Sequence, residues 1–455
     1  MTLLRRGTGL MLVLALAACS KIDELRDNLH AAAPHERYAQ SLRESGLGET
    51  IICRAWMAEA ERAFRAAPLV TLPFREAGFF RETEVHAVAT RFLARRGEAI
   101  TAMLTLPASP AKTLIFLDLF ALPDASDSAR AGEVAPPRRV ASADSGSMRL
   151  VFETPRTGTY LLRVQPELLG GGRYVLTVER GPSLAFPVSG RDSRAVLSFF
   201  GAERDGGKRD HQGVDIFARR GTPVTAAAPG VITNTGETTL GGKVVWLRDT
   251  RRGQSLYYAH LDSQIVRAGQ SVHIGDTLGL VGNTGNARTT SPHLHFGIYR
   301  RGEGAVDPFP FIQRAPGAVP SVIADTAALG MLARTRVAGV VLRASPEDQG
   351  ARLVLLSRET LVHVDGATGR WYRVALPGDS TVKGFLPVRD MEAAVQPLRS
   401  ARLAQGAYLR SAPTLVAALV DTVGAGDMVA VLGHAASGAF VLVRESHGRM
   451  AWMGQ

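Results

Sequence analysis

The 455-residue chain has only two cysteines, Cys19 and Cys53, so no framework of disulfides can hold it together and its stability must come from packed apolar cores. Its early apolar run, 9–18, falls far short of the roughly 20 residues that a bilayer-spanning helix needs. Lysine is scarce, and nearly all of the 53 basic residues are arginine. The net charge of +11 and a pI near 10.1 would often signal nucleic acid. An exported chain rarely meets any, and the N-terminus reads as an export signal, so nucleic acid is excluded as a partner. The charge then attracts anionic polymers or lipid head groups, or is a diffuse solvated surface set by arginine usage.

Residues 1–18 read as a signal peptide: Arg5 and Arg6 precede the apolar run, and small residues lead to Cys19. Leu16-Ala17-Ala18-Cys19 resembles a bacterial lipobox, which implies cleavage before Cys19 and lipidation of its thiol, hence a membrane anchor. Ser rather than Asp at position 20 implies sorting to the outer membrane, facing the periplasm, in a Gram-negative host. Once Cys19 is lipidated, Cys53 has no partner left for an intramolecular disulfide.

The chemistry lies further on, in His211-Gln212-Gly213-Val214-Asp215, in Tyr257-Tyr258-Ala259-His260, and in His293-Leu294-His295-Phe296-Gly297. A catalytic zinc site takes three protein ligands of the imidazole and carboxylate kind and keeps a fourth position open. These segments supply enough groups for that with imidazoles to spare. Side chains alternate along a strand, so His293 and His295, two apart, line one face together. A lone His-x-His or His-x-x-x-Asp is more often structural; the ordered set of three segments is what points to a metal centre. The remaining histidines, His30, His35, His86, His273, His363, His434 and His447, have no such partners and are expected to be surface or loop imidazoles.

The three segments resemble the lysostaphin or LytM type (duplicated hybrid motif) of zinc metalloendopeptidases of the bacterial cell wall. The likeness covers roughly 188–313, includes Gly221-Thr222-Pro223-Val224 and Asp307-Pro308, and leaves no ligand position substituted. The resemblance implies that His211, Asp215 and His295 hold one Zn2+ and that His260 and His293 are the catalytic pair. It implies a peptidoglycan substrate cut at a peptide bond of stems or cross-links, with D-amino-acid cross-links favoured over glycine bridges in a Gram-negative host. Wall-associated protein partners are possible under the same resemblance. Which of His260 and His293 is the general base stays open.

The expected fold is mainly β and multidomain. A lipid-anchored helical spacer covers 19–70, where Trp56, Ala60, Ala63 and Phe64 recur at helical intervals on one stripe. A β-sandwich over 74–182 follows from the change to period two, with strands at 99–106, 114–122, 148–153, 160–164 and 174–178. Its break at 123–147, rich in Asp, Ser, Ala and Pro, reads as an exposed loop, and Thr157-Gly158-Thr159-Tyr160 resembles pre-peptidase modules of secreted proteases. The metalloendopeptidase domain over 188–314 reads as an antiparallel sheet with Gly-rich turns, and the cluster 282–286 is expected to be a mobile loop rimming the groove.

Two small β-barrels are expected over 332–392 and 398–455. Gly339-Val340-Val341-Leu342-Arg343-Ala344-Ser345-Pro346 is echoed by Gly406-Ala407-Tyr408-Leu409-Arg410-Ser411-Ala412-Pro413, and both openings resemble tandem bacterial Src-homology-3-like domains. Aromatics in the repeats, Trp371, Tyr372, Phe440 and Trp452, fit core filling better than a peptide groove. Two other functions compete with the enzyme. Some proteins of this type have lost ligands and activate wall amidases, and a plain wall-binding lipoprotein would explain the flanking modules while leaving the five-residue constellation unused.

Overall fold

A computed structural model describes residues 32–107, 113–123, 136–144, 147–204, 206–315 and 317–455. Cys19, His30 and part of the 123–147 segment lie outside them. Two helices, Pro34–Glu44 and Ile51–Ala66, open the chain. The second begins where the Thr50 hydroxyl accepts the Cys53 backbone N–H, the usual device for an N-cap. Its stripe faces inward as expected, with Trp56 1% exposed. The helices are docked on the body rather than acting as a spacer. Trp56 donates its indole N–H to the Pro166 carbonyl at 2.8 Å, and His35 stacks on Trp56 at 4.7 Å while meeting Gln165 Oε1 at 2.7 Å.

His35 is therefore buried, and so is His86, which accepts the Arg81 backbone N–H; neither is the surface imidazole the sequence suggests. Burial pushes both down to about 4, so they sit neutral in the fold. His363 is half-buried, whereas His273 and His447 are exposed.

Two sheets then enclose one core. Strands Val88–Ala94, Gly158–Pro166, Ile115–Ala121 and Arg138–Ser142 form one layer in that order, and Phe74–Phe80, Gly172–Pro182, Glu98–Thr105 and Arg149–Glu153 form the other. Strict alternation along Glu98–Thr105 sends Ile100, Ala102 and Leu104 inward, against Phe92, Leu119 and Leu162 of the facing layer. The strand Arg138–Ser142 falls inside the segment read as a loop, where its Arg-rich sequence masks the alternation.

The larger layer does not end with the sandwich. Phe74–Phe80 pairs with Leu361–Thr368 at Ala77↔Ala367 and Gly78↔Gly366, so the first C-terminal repeat extends the same sheet to Arg352–Leu356. At this seam the buried Glu76 carboxylate accepts from Arg373 at 3.1 Å and from the Tyr174 hydroxyl at 2.8 Å. Removing one partner from such a buried pair typically costs about 3–5 kcal/mol. Gly78 is required here, because a Cβ would lie 2.2 Å from the Tyr174 ring.

The repeat itself is real in three dimensions. Val340–Arg343 and Ala407–Arg410 each carry a buried leucine, Leu342 and Leu409, and each ends in a register shift. Arg343 and Arg410 both donate to a carbonyl seven residues on, Gly350 and Ala417, at 2.9 Å. Tyr372, Phe440 and Trp452 are buried, as core filling requires. Among the described residues neither copy closes into a barrel. Leu361–Thr368 gives an edge to Phe74–Phe80, while the second sheet runs open from Arg399–Arg402 to Leu419–Val423. No helix of the described residues is long and apolar enough to cross a membrane.

Between these flanks the region 184–312 folds around its own core. Its antiparallel sheet runs Ser271–Val272, Gly230–Thr238, Gly242–Asp249, Gln254–Gln264, His293–Arg300, Val214–Phe217, Val196–Ser198. One face packs Val214, Ile216, Leu256, Tyr258, Leu294, Phe296 and Ile298 into the core, which leaves the alternate residues on the open face.

Candidate metal centre

Alternation on the two central strands builds the site. Asp215 lies directly opposite His295, and Phe217 opposite His293, so both histidines of His293-Leu294-His295 share the open face with the carboxylate. His211 comes from the turn before this strand and reaches the same point. His211 Nε2, Asp215 Oδ1 and His295 Nδ1 lie 2.9–3.1 Å from one another. Among the described residues they are the group of three or more His, Cys, Asp and Glu side chains able to hold a metal ion. Gly213 allows the closeness, since a Cβ there would fall 2.7 Å from the His295 ring.

The donor set fits a cation. His211 Nδ1 donates to the Phe199 carbonyl at 2.9 Å, which leaves Nε2 of the neutral ring as a bare lone pair facing Asp215 Oδ1 at 3.0 Å. Burial alone would push the Asp215 carboxyl up; protons donated to it by the His211 and His295 rings, where those rings are charged, outweigh that and hold the group well below the usual carboxylate range. An ionised oxygen and a lone pair at that distance repel unless a cation sits between them or the ring takes a second proton. Burial likewise lowers His295.

His260 arrives by a different device. Lys243 pairs with Leu261 and Val245 with Tyr258, so Ala259 and His260 together oppose Val244 in a bulge. His260 has φ 62°, a left-handed conformation uncommon for residues other than glycine, and such geometry persists where its surroundings enforce it. Its backbone N–H donates to the Gly241 carbonyl and its Nδ1 to the Thr284 carbonyl at 2.9 Å. The ring comes within 5.0 Å of His293 and 5.9 Å of His295, centroid to centroid. Burial, reinforced by His293 and His295, pushes His260 down to about 4. His293 Nδ1 donates to the Ser291 carbonyl at 2.8 Å. Both rings thus carry their proton on Nδ1, leaving Nε2 to accept.

All five sequence-derived site residues therefore meet in one groove of about 720 Å³. The turn 282–286 is tied to its neighbours through Thr284: its hydroxyl donates to the Leu261 carbonyl and accepts the Lys243 N–H, while its carbonyl holds His260. Residues lining the groove come from 198–299, so among the described residues no flanking module plugs it. Two features went unread in the sequence. Trp246, Tyr257 and Tyr299 form a continuous aromatic wall, with Trp246 and Tyr257 in register at 4.4 Å between centroids. Arg204, on the short hairpin Glu203–Arg204/Arg209–Asp210, reaches Asp215. A separate cavity beside the second helix is lined by Glu59, which is already paired with Arg62 and Lys383, and it carries no comparable constellation.

Residues 209–308 match the model of peptidase family M23. The chain carries an M23 peptidase domain. The match spans less than a quarter of the chain and contains all five site residues. Over 140 residues the chain is 36% identical to an L-Ala–D-Glu endopeptidase of Bacillus subtilis, covering 28% of this chain and 43% of the relative. The peptidoglycan DD-endopeptidase ShyC of Vibrio cholerae is 35% identical over 129 residues, 28% of this chain and 29% of that protein. The glycyl-glycine endopeptidase ALE-1 of Staphylococcus capitis is 36% identical over 110 residues, 23% and 30% of the two chains. The chain spans less than half the length of each of these relatives.

Proposed function

We propose that the chain is a zinc-dependent endopeptidase that hydrolyses peptide bonds in the stems or cross-links of peptidoglycan. The observation that carries this is the meeting of His211 Nε2, Asp215 Oδ1 and His295 Nδ1 at one point of a groove that also holds His260 and His293. When bound, zinc would supply a water acidified to a pKa of about 7, a nucleophile available at neutral pH. His211, Asp215 and His295 are the residues to hold it. His260 and His293 do the proton work. Each presents a bare Nε2 because a backbone carbonyl holds its Nδ1 proton, so each accepts a proton before it can donate one. The resulting imidazolium can return that proton to the leaving amine or stabilise charge on the carbonyl oxygen.

Three relatives named for three different bonds leave the bond itself to experiment. Digestion of purified sacculi by the zinc-loaded chain, followed by mass analysis, should convert cross-linked dimers to monomers if cross-links are cut, or shorten stems if they are. An unchanged fragment pattern with zinc bound would defeat the hydrolase assignment.

We extend the proposal to location on the strength of the Leu16-Ala17-Ala18-Cys19 segment: a lipid on Cys19 holds the chain at the outer membrane, facing the wall. Cys19→Ala should move the protein from the membrane to the soluble fraction. Soluble wild-type protein lacking lipid mass would reverse this.

A further inference from the structure

We propose that Arg204 is a positioning residue for the metal centre, fixing the Asp215 carboxylate so that a single oxygen is directed to the ligand point. The inference rests on the metal-binding reading above. The two oxygens of Asp215 are already divided in the structure. Oδ1 meets His211 and His295, whereas Oδ2 accepts from the Arg204 guanidinium at 3.0 Å. The same guanidinium nitrogen donates to the Ser198 hydroxyl, whose oxygen lies 3.3 Å from His211 Nδ1. Ser198 is the register partner of Asp215 on the neighbouring strand, so this contact is set by the sheet. One guanidinium thus holds Asp215 directly and also touches Ser198, a weaker second neighbour of the His211 Nδ1–H that the Phe199 carbonyl already accepts.

A carboxylate left free turns about its last torsion and can offer both oxygens to a metal, which would fill the position that hydrolysis needs open. A charge-assisted hydrogen bond on Oδ2 removes that freedom. The pair is shielded, with side chains 28% and 12% exposed, so it keeps more of its strength than a surface ion pair. Charge alone would act in the opposite sense, because a cation close to a divalent ion weakens its binding. The direction of the effect therefore separates positioning from mere proximity. Arg204 stands outside the His-x-x-x-Asp spacing, on the hairpin that pairs Glu203 with Asp210.

The test is zinc affinity of the full chain, measured by competition with a chromophoric chelator. Arg204→Met should weaken zinc binding about 10-fold or more, the usual effect of losing a partner that orients a ligand. Arg204→Gln, which keeps an N–H donor without the charge, should recover part of that loss. The visible spectrum of the cobalt-loaded chain should differ between wild type and Arg204→Met, a change that a purely structural role would not produce. If Arg204→Met folds and binds zinc as tightly as the wild type or tighter, the proposal is overturned. Should that variant not fold, Arg204→Leu, which also lacks any donor to Oδ2, carries the test, and wild-type affinity together with a wild-type cobalt spectrum would equally overturn it. A wild-type chain that binds no zinc would instead bring down the metal assignment and this inference with it.

Discussion

His295→Ala should leave the purified chain with neither zinc nor hydrolytic activity, whereas the wild type should hold about one zinc per molecule. The expectation follows from its place in the sheet. His295 stands opposite Asp215 on one side and Ala259 on the other, at the centre of the open face, and its Nδ1 completes the ligand point. Without it the residual pair, His211 and Asp215, offers two donors where a catalytic site needs three. The loss should also appear as stability. A ligand that binds only the folded chain adds about 4 kcal/mol when present at a thousand times its dissociation constant. Zinc should therefore raise the melting temperature of the wild type and leave that of His295→Ala unmoved. Equal zinc content by elemental analysis in the wild type and in a His211→Ala, Asp215→Ala double variant would refute the ligand assignment.

What could be read in advance was whatever depends on local spacing. His293-Leu294-His295 places two imidazoles on one face by alternation alone, and the observed strand His293–Arg300 does so. The stripe of Trp56, Ala60 and Ala63 likewise turned inward as its spacing requires. Long-range pairing leaves no such trace. Ala77 meets Ala367 across the whole M23 domain, and nothing in either strand announces that its edge is shared, so the first repeat looked like a separate barrel. His35 and His86 looked like surface residues because their partners, Trp56, Gln165 and the Arg81 backbone, come from tertiary packing. Arg204 was invisible for the same reason. The bulge at His260 was hidden too, since two residues opposing one is a property of the pair of strands and not of either sequence.

The bulge matters for how the last expectation must be tested. His260 is assigned to proton transfer and contacts the ligands only ring to ring, so His260→Ala should retain zinc while hydrolysis falls by roughly 100-fold or more, the usual worth of a positioned acid or base. Alanine at φ 62°, however, is less at ease than histidine, which like asparagine and aspartate is enriched in the left-handed region, so a part of any loss could come from the backbone and not from the missing imidazole. Asparagine tolerates the left-handed region far better, so His260→Asn isolates the chemistry from the strain. Both variants should bind zinc like the wild type and lose hydrolysis alike; a His260→Asn enzyme near full activity would show that the ring is dispensable and that conformation was the cause. The same pair of variants separates an enzyme from a regulator. A protein that only activates a wall amidase would show no hydrolysis as wild type, and its stimulation of the amidase would survive both substitutions, because a docking surface does not need a bare Nε2 in the groove. The pinning of that ring by the Thr284 carbonyl, in a conformation that few residues accept, is the structural reason to expect the enzymatic pattern.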